Sequence, residues 1–312
     1  MADLIQARLA EAGVRLAFGL LPLAVAGRPT EAAAIRTIRA AIDAGVVLID
    51  TADIYGLDNE AFGYTESLLA LAIKKVSGSN RPLIATKGGL IRMPDGSRRP
   101  RGDPAYLMQA CHRSRKRLEV ESIDLYQLHR PDPGVPFAES VGALRDLLDG
   151  GWIRSAGVSN VSATQIDSAR SILGNGLVAI QNKFSVEDRR DTQGLSTSAL
   201  YGLAYLAWGP LGGIGQGQAL GRRLPALRRV AARHGVSPHR VALAWLLAHK
   251  RHMVPVVGTR VPAHLADAVA ATLLILTAED MRDITEAESS SEQDLLAETN
   301  IRPRPPTARP PL

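Results

Sequence analysis

The chain alternates short apolar runs with longer stretches in which apolar residues recur every three or four positions. The short runs read as strands: Arg15–Gly19, Val46–Ile49, Leu83–Thr86, Leu125–Leu128, Ile153–Val158, Val178–Gln181, Ala204–Ala207 and Val254–Val257. Between them the helical period is plain. Residues 31–44 set Ala34, Ile35, Ile38, Ala41 and Ile42 on one face, and residues 138–148 do the same with Val141, Leu144, Leu147 and Leu148. Residues 241–248 are apolar almost all round, which predicts a helix buried on every side. Strand and helix alternate along the whole chain, so the expected fold class is α/β: a single-domain (β/α)8 TIM barrel.

Turn chemistry agrees with these elements. Thr30 is placed to cap the helix that begins at Glu31, and Gly45 to end it. Gly150-Gly151 closes the helix over 138–148. Ser237-Pro238 reads as a cap followed by proline at the first helical position. Gly212–Arg223, rich in glycine and polar residues, is expected to be a long mobile loop over the active face. The barrel is expected to occupy residues 1–297 and a Pro/Arg-rich tail residues 298–312. In Arg302–Leu312 (RPRPPTARPPL) proline removes donors and fixes φ, so the tail is expected to be extended or disordered.

Composition narrows the class of partner. Hydrophobic residues are 46% and charged residues 22%, ordinary for a folded domain. The net charge of +6 raises the question of nucleic acid. The densest basic run, His112–Arg117, spans under two turns of a predicted helix and has no interleaved aromatics. It reads as a solvated face, and no nucleic-acid partner is expected. A basic balance equally suits attraction of an anionic small molecule. The lone cysteine, Cys111, excludes a disulfide within the chain and reads as a small buried apolar residue. No His/Cys pairs have ligand spacing, so no metal site is expected. Leu16–Gly27 resembles the apolar part of a signal peptide. However, Asp3 and Glu11 lie upstream, Gly19 and Pro22 interrupt the run, and the first strand needs the same residues. No run reaches the roughly 18 apolar residues of a spanning helix. The expectation is therefore no membrane partner and a cytoplasmic protein.

The chemistry lies where strands should end. Asp50 and Tyr55 follow the second apolar run, Lys87 the third and His129 the fourth. Active sites of such barrels gather at the C-terminal ends of the strands. An acid, a phenol, an amine and an imidazole meeting there suit proton transfer to a carbonyl oxygen. A free phenol, with a pKa of about 10, is too weak an acid near neutrality. A neighbouring ammonium lowers that value, so Lys87, held by Asp50, is expected to activate Tyr55 while His129 orients the carbonyl. Taken singly, each residue has an ordinary alternative: a turn cap, a solvated barrel-end cation, a core aromatic or a structural histidine.

Longer segments carry a resemblance. Ile49-Asp50-Thr51-Ala52-Asp53-Ile54-Tyr55-Gly56, Thr86-Lys87-Gly88-Gly89, Leu128-His129-Arg130-Pro131-Asp132 and Gly157-Val158-Ser159-Asn160 appear in order. They are followed by Gln181-Asn182, Trp208-Gly209-Pro210-Leu211-Gly212-Gly213 and Pro255-Val256-Val257-Gly258-Thr259. In these segments, from about Arg15 to Ala287, the chain resembles the aldo-keto reductases. The resemblance implies a catalytic tetrad of Asp50, Tyr55, Lys87 and His129. It also implies a nicotinamide cofactor, NADP(H) with NAD(H) as the alternative, lying across the barrel mouth. Consistently, no G-x-G-x-x-G follows a predicted strand. By matched position, Ser159, Asn160 and Gln181 would bond the carboxamide and Trp208 would stack on the nicotinamide. Gly209, Pro210 and Leu211 would follow the pyrophosphate, and Gly258, Thr259, Arg260, His264 and Asp267 would surround the adenosine. Gly19, at the end of the first strand, is assigned to the cofactor as well.

The chain departs from the family where Ala268 replaces a usual Asn and where Trp208-Gly209 replaces a frequent Tyr-Ser. His264 stands where many members place the Arg that meets a 2′-phosphate, and Arg260 is expected to compensate. The implied activity is NADP(H)-dependent reduction of a small-molecule aldehyde or ketone, with the proton from Tyr55. The alternative is a cofactor-sensing regulatory subunit on the same fold. Substrate identity and oligomeric state stay open at this point. The Gln181-Asn182 and Pro210–Gly213 segments also resemble bacterial members that reduce pyridoxal.

Overall fold

The computed structural model describes residues 4–58 and 61–287. The tail expected at 298–312, and the barrel's expected last residues up to 297, lie outside them. Eight parallel strands close a barrel: β1 Ala17–Gly19, β2 Leu48–Asp50, β3 Leu83–Gly88, β4 Leu125–Leu128, β5 Ala156–Ser159, β6 Leu177–Lys183, β7 Ala204–Trp208 and β8 Met253–Val257. Each strand neighbours the next in sequence, and β1 pairs with β8 to complete the ring. The outer layer is built from α2 Glu31–Asp43, α3 Tyr64–Ile73, α4 Pro104–Leu118, α5 Phe137–Asp149, α6 Ala163–Leu173 and α7 Thr192–Leu200. It continues through the short α8 Leu220–Arg223, then α9 Pro225–His234, α10 Pro238–His249, α11 Pro262–Ala270 and a helix over 278–287.

Strand periodicity sorts residues between two cores, because successive side chains face opposite sides. Leu48, Leu83, Ala85, Leu125, Ala179, Leu206 and Val254 fill the barrel interior. Ile49, Ile84, Tyr126, Leu128, Ile180 and Tyr205 face the helices instead. The caps form as expected: the Thr30 hydroxyl accepts from Ala33 N, and that of Ser237 from Arg240 N.

Three features depart from the expectation. A helix not foreseen, α1 Leu4–Ala12, inserts Ile5 and Leu9 among the barrel-interior residues and seals the end opposite the active face. A two-stranded hairpin, Leu90–Arg92 with Arg98–Pro100, leaves β3. The expected mobile loop Gly212–Arg223 instead contains a 3-10 turn at Gly217–Ala219 and the helix α8. It is pinned by Arg223, whose Nε and Nη2 bond the Glu187 carboxylate at 2.6 and 2.9 Å. Strand ends also move. The fifth strand is shorter than expected, and Ile153 makes only an isolated bridge to Ile123.

Arginines bind the seam between the first and last strands. Arg15 lies just outside β1, and its guanidinium donates to Leu247 O at 2.6 Å and Lys250 O at 3.1 Å. Arg260, just past β8, donates to Pro22 O, Ala26 O and Gly27 O at 2.9, 2.7 and 2.7 Å. At the same seam a Cβ on Gly258 would lie 2.7 Å from Pro22 Cγ and 3.0 Å from Gly19 O, so only glycine fits.

Candidate active site

Along five strands the inward-facing row passes from an apolar residue to a polar or aromatic one at the upper layer. Following each inward row upward, Leu48 leads to Asp50, Ala85 to Lys87, Leu125 to Gln127, Ala179 to Gln181 and Leu206 to Trp208. Strand register brings these together, since Asp50 pairs with Ala85 and Lys87 with Gln127. The main-chain ladder runs on past the strands. Thr51 N donates to Ala85 O at 2.8 Å, Asp53 N to Lys87 O at 3.0 Å and His129 N to Gly88 O at 2.8 Å. These bonds fix the loop that carries Tyr55 and the start of the loop after His129.

Lys87 and Asp50 form a buried ion pair, 1% and 3% exposed. Lys87 Nζ donates to Asp50 Oδ1 and Oδ2 at 2.8 and 2.7 Å and to Thr51 O at 2.7 Å. Gln181 Nε2 adds a bond to Asp50 Oδ1 at 2.9 Å. The ammonium also lies 5.4 Å from the centre of the Tyr55 ring, which meets His129 edge-on at 6.0 Å. The acid, amine, phenol and imidazole expected from sequence are therefore in one constellation.

The electrostatics differ from the expectation on one point. Burial pushes the Tyr55 phenol above its ordinary value. Lys87 pulls it down, but by less than burial raises it. The phenol stays protonated at neutral pH, beside an ammonium that would stabilise the phenolate left after donation. For Lys87, desolvation is the largest single influence, but Asp50 and Tyr55 together outweigh it and raise its pKa. Burial, then Lys87, Arg130 and Arg98, hold His129 well below its usual pKa, so the ring is neutral. Its Nδ1 is buried with no partner. Two acids of one motif differ by environment. Asp50 is ion-paired, whereas Asp53 is fully buried with both oxygens unpartnered. Burial, then Glu66, raises its pKa well above the carboxylate range.

The residues assigned to a nicotinamide line the next strand ends. Ser159 Oγ donates to Gln181 O at 2.7 Å, and Asn160, at φ 57°, donates from Nδ2 to His129 O at 3.0 Å. Trp208 ends β7, and its indole Nε1 is buried without a partner. Gly209 follows at φ 67° and precedes the buried Pro210 and the half-buried Leu211. An aromatic face flanked by amide and hydroxyl groups, with an orphaned indole N–H, fits a flat amide-bearing ring.

The residues assigned to the adenosine end gather at one rim, but most are already engaged. Arg260 holds the Pro22–Gly27 carbonyls described above. Asp267 accepts from Arg240 Nε and Nη2 at 2.9 and 2.7 Å and from the Ser237 hydroxyl. Thr259 Oγ1 accepts from Val261 N at 3.1 Å. His264 is exposed on α11. Three of the five N–H groups of Arg260 are thus spent on main-chain carbonyls, which ties its charge to the Pro22–Gly27 loop. The sequence shows its charge but not the three carbonyls more than 230 positions away that take it.

Residues 15–289 match the aldo/keto reductase family. The chain belongs to the aldo/keto reductase family. It is 36% identical over 264 residues to a 6-dehydroglucose reductase of Novosphingobium aromaticivorans, covering 82% of this chain and 85% of that one. It is 33% identical over 276 residues to pyridoxine 4-dehydrogenase of Escherichia coli, covering 85% and 91%. An aldo/keto reductase from Klebsiella pneumoniae, crystallised with NADP and acetate, shares the fold. Its TM-score is 0.72 at 23% identity, over 87% of this chain and 90% of that one. Family membership makes the chain an oxidoreductase. Among the described residues no cluster of His, Cys, Asp or Glu is placed to hold a metal ion, and no helix is long and apolar enough to cross a membrane.

Proposed function

We propose that the protein is an NADP(H)-dependent reductase of small aldehydes or ketones, with Asp50, Tyr55, Lys87 and His129 as its catalytic residues. The observation that carries the reading is the buried Asp50–Lys87 pair beneath the Tyr55 ring, with the neutral His129 beside it. Ser159, Asn160, Gln181 and Trp208 would hold the nicotinamide, and Gly19, Gly209 to Leu211 and Gly258 to Asp267 the rest of the cofactor. When bound, the reduced nicotinamide supplies a hydride to the carbonyl carbon.

The chain's own residues do the rest. Tyr55 gives its proton to the carbonyl oxygen. Lys87, fixed by Asp50 and the Thr51 carbonyl, stabilises the phenolate that results. His129 lacks a charge and so orients the oxygen by a hydrogen bond rather than competing as the acid. General acid help of this kind contributes about 10²–10⁴-fold.

Tyr55→Phe should therefore keep NADPH binding and lose at least about 10²-fold in kcat with 4-nitrobenzaldehyde. Near-normal turnover by the variant would refute the assignment. Tight NADPH binding by the wild type without reduction of any aldehyde would instead point to a cofactor-sensing subunit.

A further inference from the structure

The hairpin that leaves β3 pairs Leu90 with Pro100 and Arg92 with Arg98. Opposed and alternate residues share a face, so Leu90, Arg92, Arg98 and Pro100 line one side. That side meets the loop that carries Tyr55. Leu90 packs in one small cluster with Ile54 and Tyr55, and Arg92 Nη2 donates to Gly56 O at 2.7 Å. Like charges set directly opposite each other weaken a strand pair. The Arg92–Arg98 pair is thus a local cost borne by a short ribbon.

These charges also lack the partners that usually absorb them. Among the described residues, no carboxylate forms an ion pair with Arg92, Arg98 or Arg130. Asp95, on the hairpin's own turn, accepts from Ser97 N at 2.8 Å, and the other nearby acids hold other groups. Asp132 accepts from Gly102 N and Gly134 N at 2.8 and 2.9 Å, Asp103 pairs with Arg101 at 2.9 Å, and Asp50 holds Lys87. Arg92 Nε is buried with no partner. The charge of Arg98 reaches both Tyr55 and His129, and that of Arg130 reaches His129. Three guanidinium groups without an ion pair among the described residues thus lie on the elements that frame the reacting groups.

We propose that the active-site mouth selects a carbonyl substrate bearing an anionic group, a carboxylate or a phosphate, and that Arg98 receives that group with Arg92 and Arg130 flanking it. The proposal rests on the reductase reading above. A guanidinium suits both anions because its fork matches two oxygens at once. The surrounding charge would also draw an anion toward the mouth before contact. Arg98 is exposed, so its bond to the anion belongs at the weak end of charge-assisted bonds, about a tenfold effect on binding.

The test compares matched aldehydes with and without charge. One arm uses 4-carboxybenzaldehyde against its methyl ester, and the other glyceraldehyde 3-phosphate against glyceraldehyde. In the wild type the charged member of at least one pair should have the higher kcat/KM, and added salt should shrink that advantage. Arg98→Ala should lower the charged-to-neutral ratio about tenfold, with partial recovery in Arg98→Lys. The arm with the larger fall identifies the anion. An unchanged ratio in the variant, or the absence of any preference in the wild type, overturns the proposal while leaving the reductase reading intact. A parallel loss of NADPH affinity would assign Arg98 to the cofactor and overturn it as well. Failure of the wild type to reduce any of the four aldehydes overturns the proposal, and turnover of 4-nitrobenzaldehyde then decides the reductase reading on its own.

Discussion

Replacing Lys87 with methionine isolates the ion pair at the centre of the site. At 2.7–2.8 Å, the attraction between two unit charges is about 6 kcal/mol at an effective dielectric near 20. Most of that attraction is offset by the desolvation of both groups, so the intact pair contributes little net stability. Removing one partner leaves the other buried and unpaired, which costs about 3–5 kcal/mol. Asp50 is 3% exposed and would keep only the bonds from Gln181 and Gln127.

Lys87→Met should therefore lower stability by about 3–5 kcal/mol, roughly 5–8 °C in Tm at about 1.5 °C per kcal/mol for a chain of this length. Adding Asp50→Asn removes the orphaned charge and should recover part of the loss, so the two substitutions should be non-additive.

The pH dependence has a defined sign. In the wild type Lys87 titrates above its ordinary value. Its contribution is complete below about pH 10.4 and is lost only as the pH rises through the folded-state value. Urea denaturation of the two single variants and the double variant at two pH values measures all of this. A loss under about 1 kcal/mol for Lys87→Met, or strict additivity with Asp50→Asn, would mean the pair does not behave as a buried ion pair.

Two further outcomes follow from the same geometry. Arg260→Ala frees the Pro22, Ala26 and Gly27 carbonyls, so it should weaken NADPH and NADH by similar factors through the disturbed loop. Tryptophan-fluorescence quenching measures both affinities, and a loss confined to NADPH would show that the guanidinium meets the 2′-phosphate after all. Cys111 is fully buried and its thiol is pushed up to about 12. It should ignore a thiol-reactive disulfide reagent in the native protein and react stoichiometrically once unfolded, whereas fast native labelling would contradict the packing.

The legible part of the molecule is the part governed by short-range periodicity. Alternation along β2, β3 and β4 determines that Asp50, Lys87 and Gln127 share a side with Leu48, Ala85 and Leu125, and any reader of the sequence can count it. The convergence of Asp50, Lys87 and His129 was accessible for that reason, whereas Tyr55 lies in the loop past β2 and was placed by its motif. Features that depend on distant partners were not. Arg223 stills the Gly212–Arg223 segment through Glu187, 36 positions away, and Arg260 is claimed by carbonyls 233 to 238 positions away. The net rise in the Tyr55 pKa belongs to the same class. The nearby ammonium is visible in the sequence, but the loss of water around the ring appears only once the fold is closed. The arginine face of the hairpin required the register that sets Arg92 against Arg98.

The seam bound by Arg15 and Arg260 also has a bearing on how the barrel comes into being. Contacts between chain segments more than 230 residues apart are the most entropically demanding to close, and such topology slows folding. Until β8 has been synthesised, β1 can pair only with β2, and its other edge stays open along Ala17 and Phe18. Gly19 and Gly258, which meet across this seam, are both among the residues proposed for the cofactor. The nucleotide would therefore bind only a finished ring. Because its cradle spans the junction formed last, occupancy would weigh on the whole cooperative unit rather than on one loop, making the cofactor a clasp as well as a reagent.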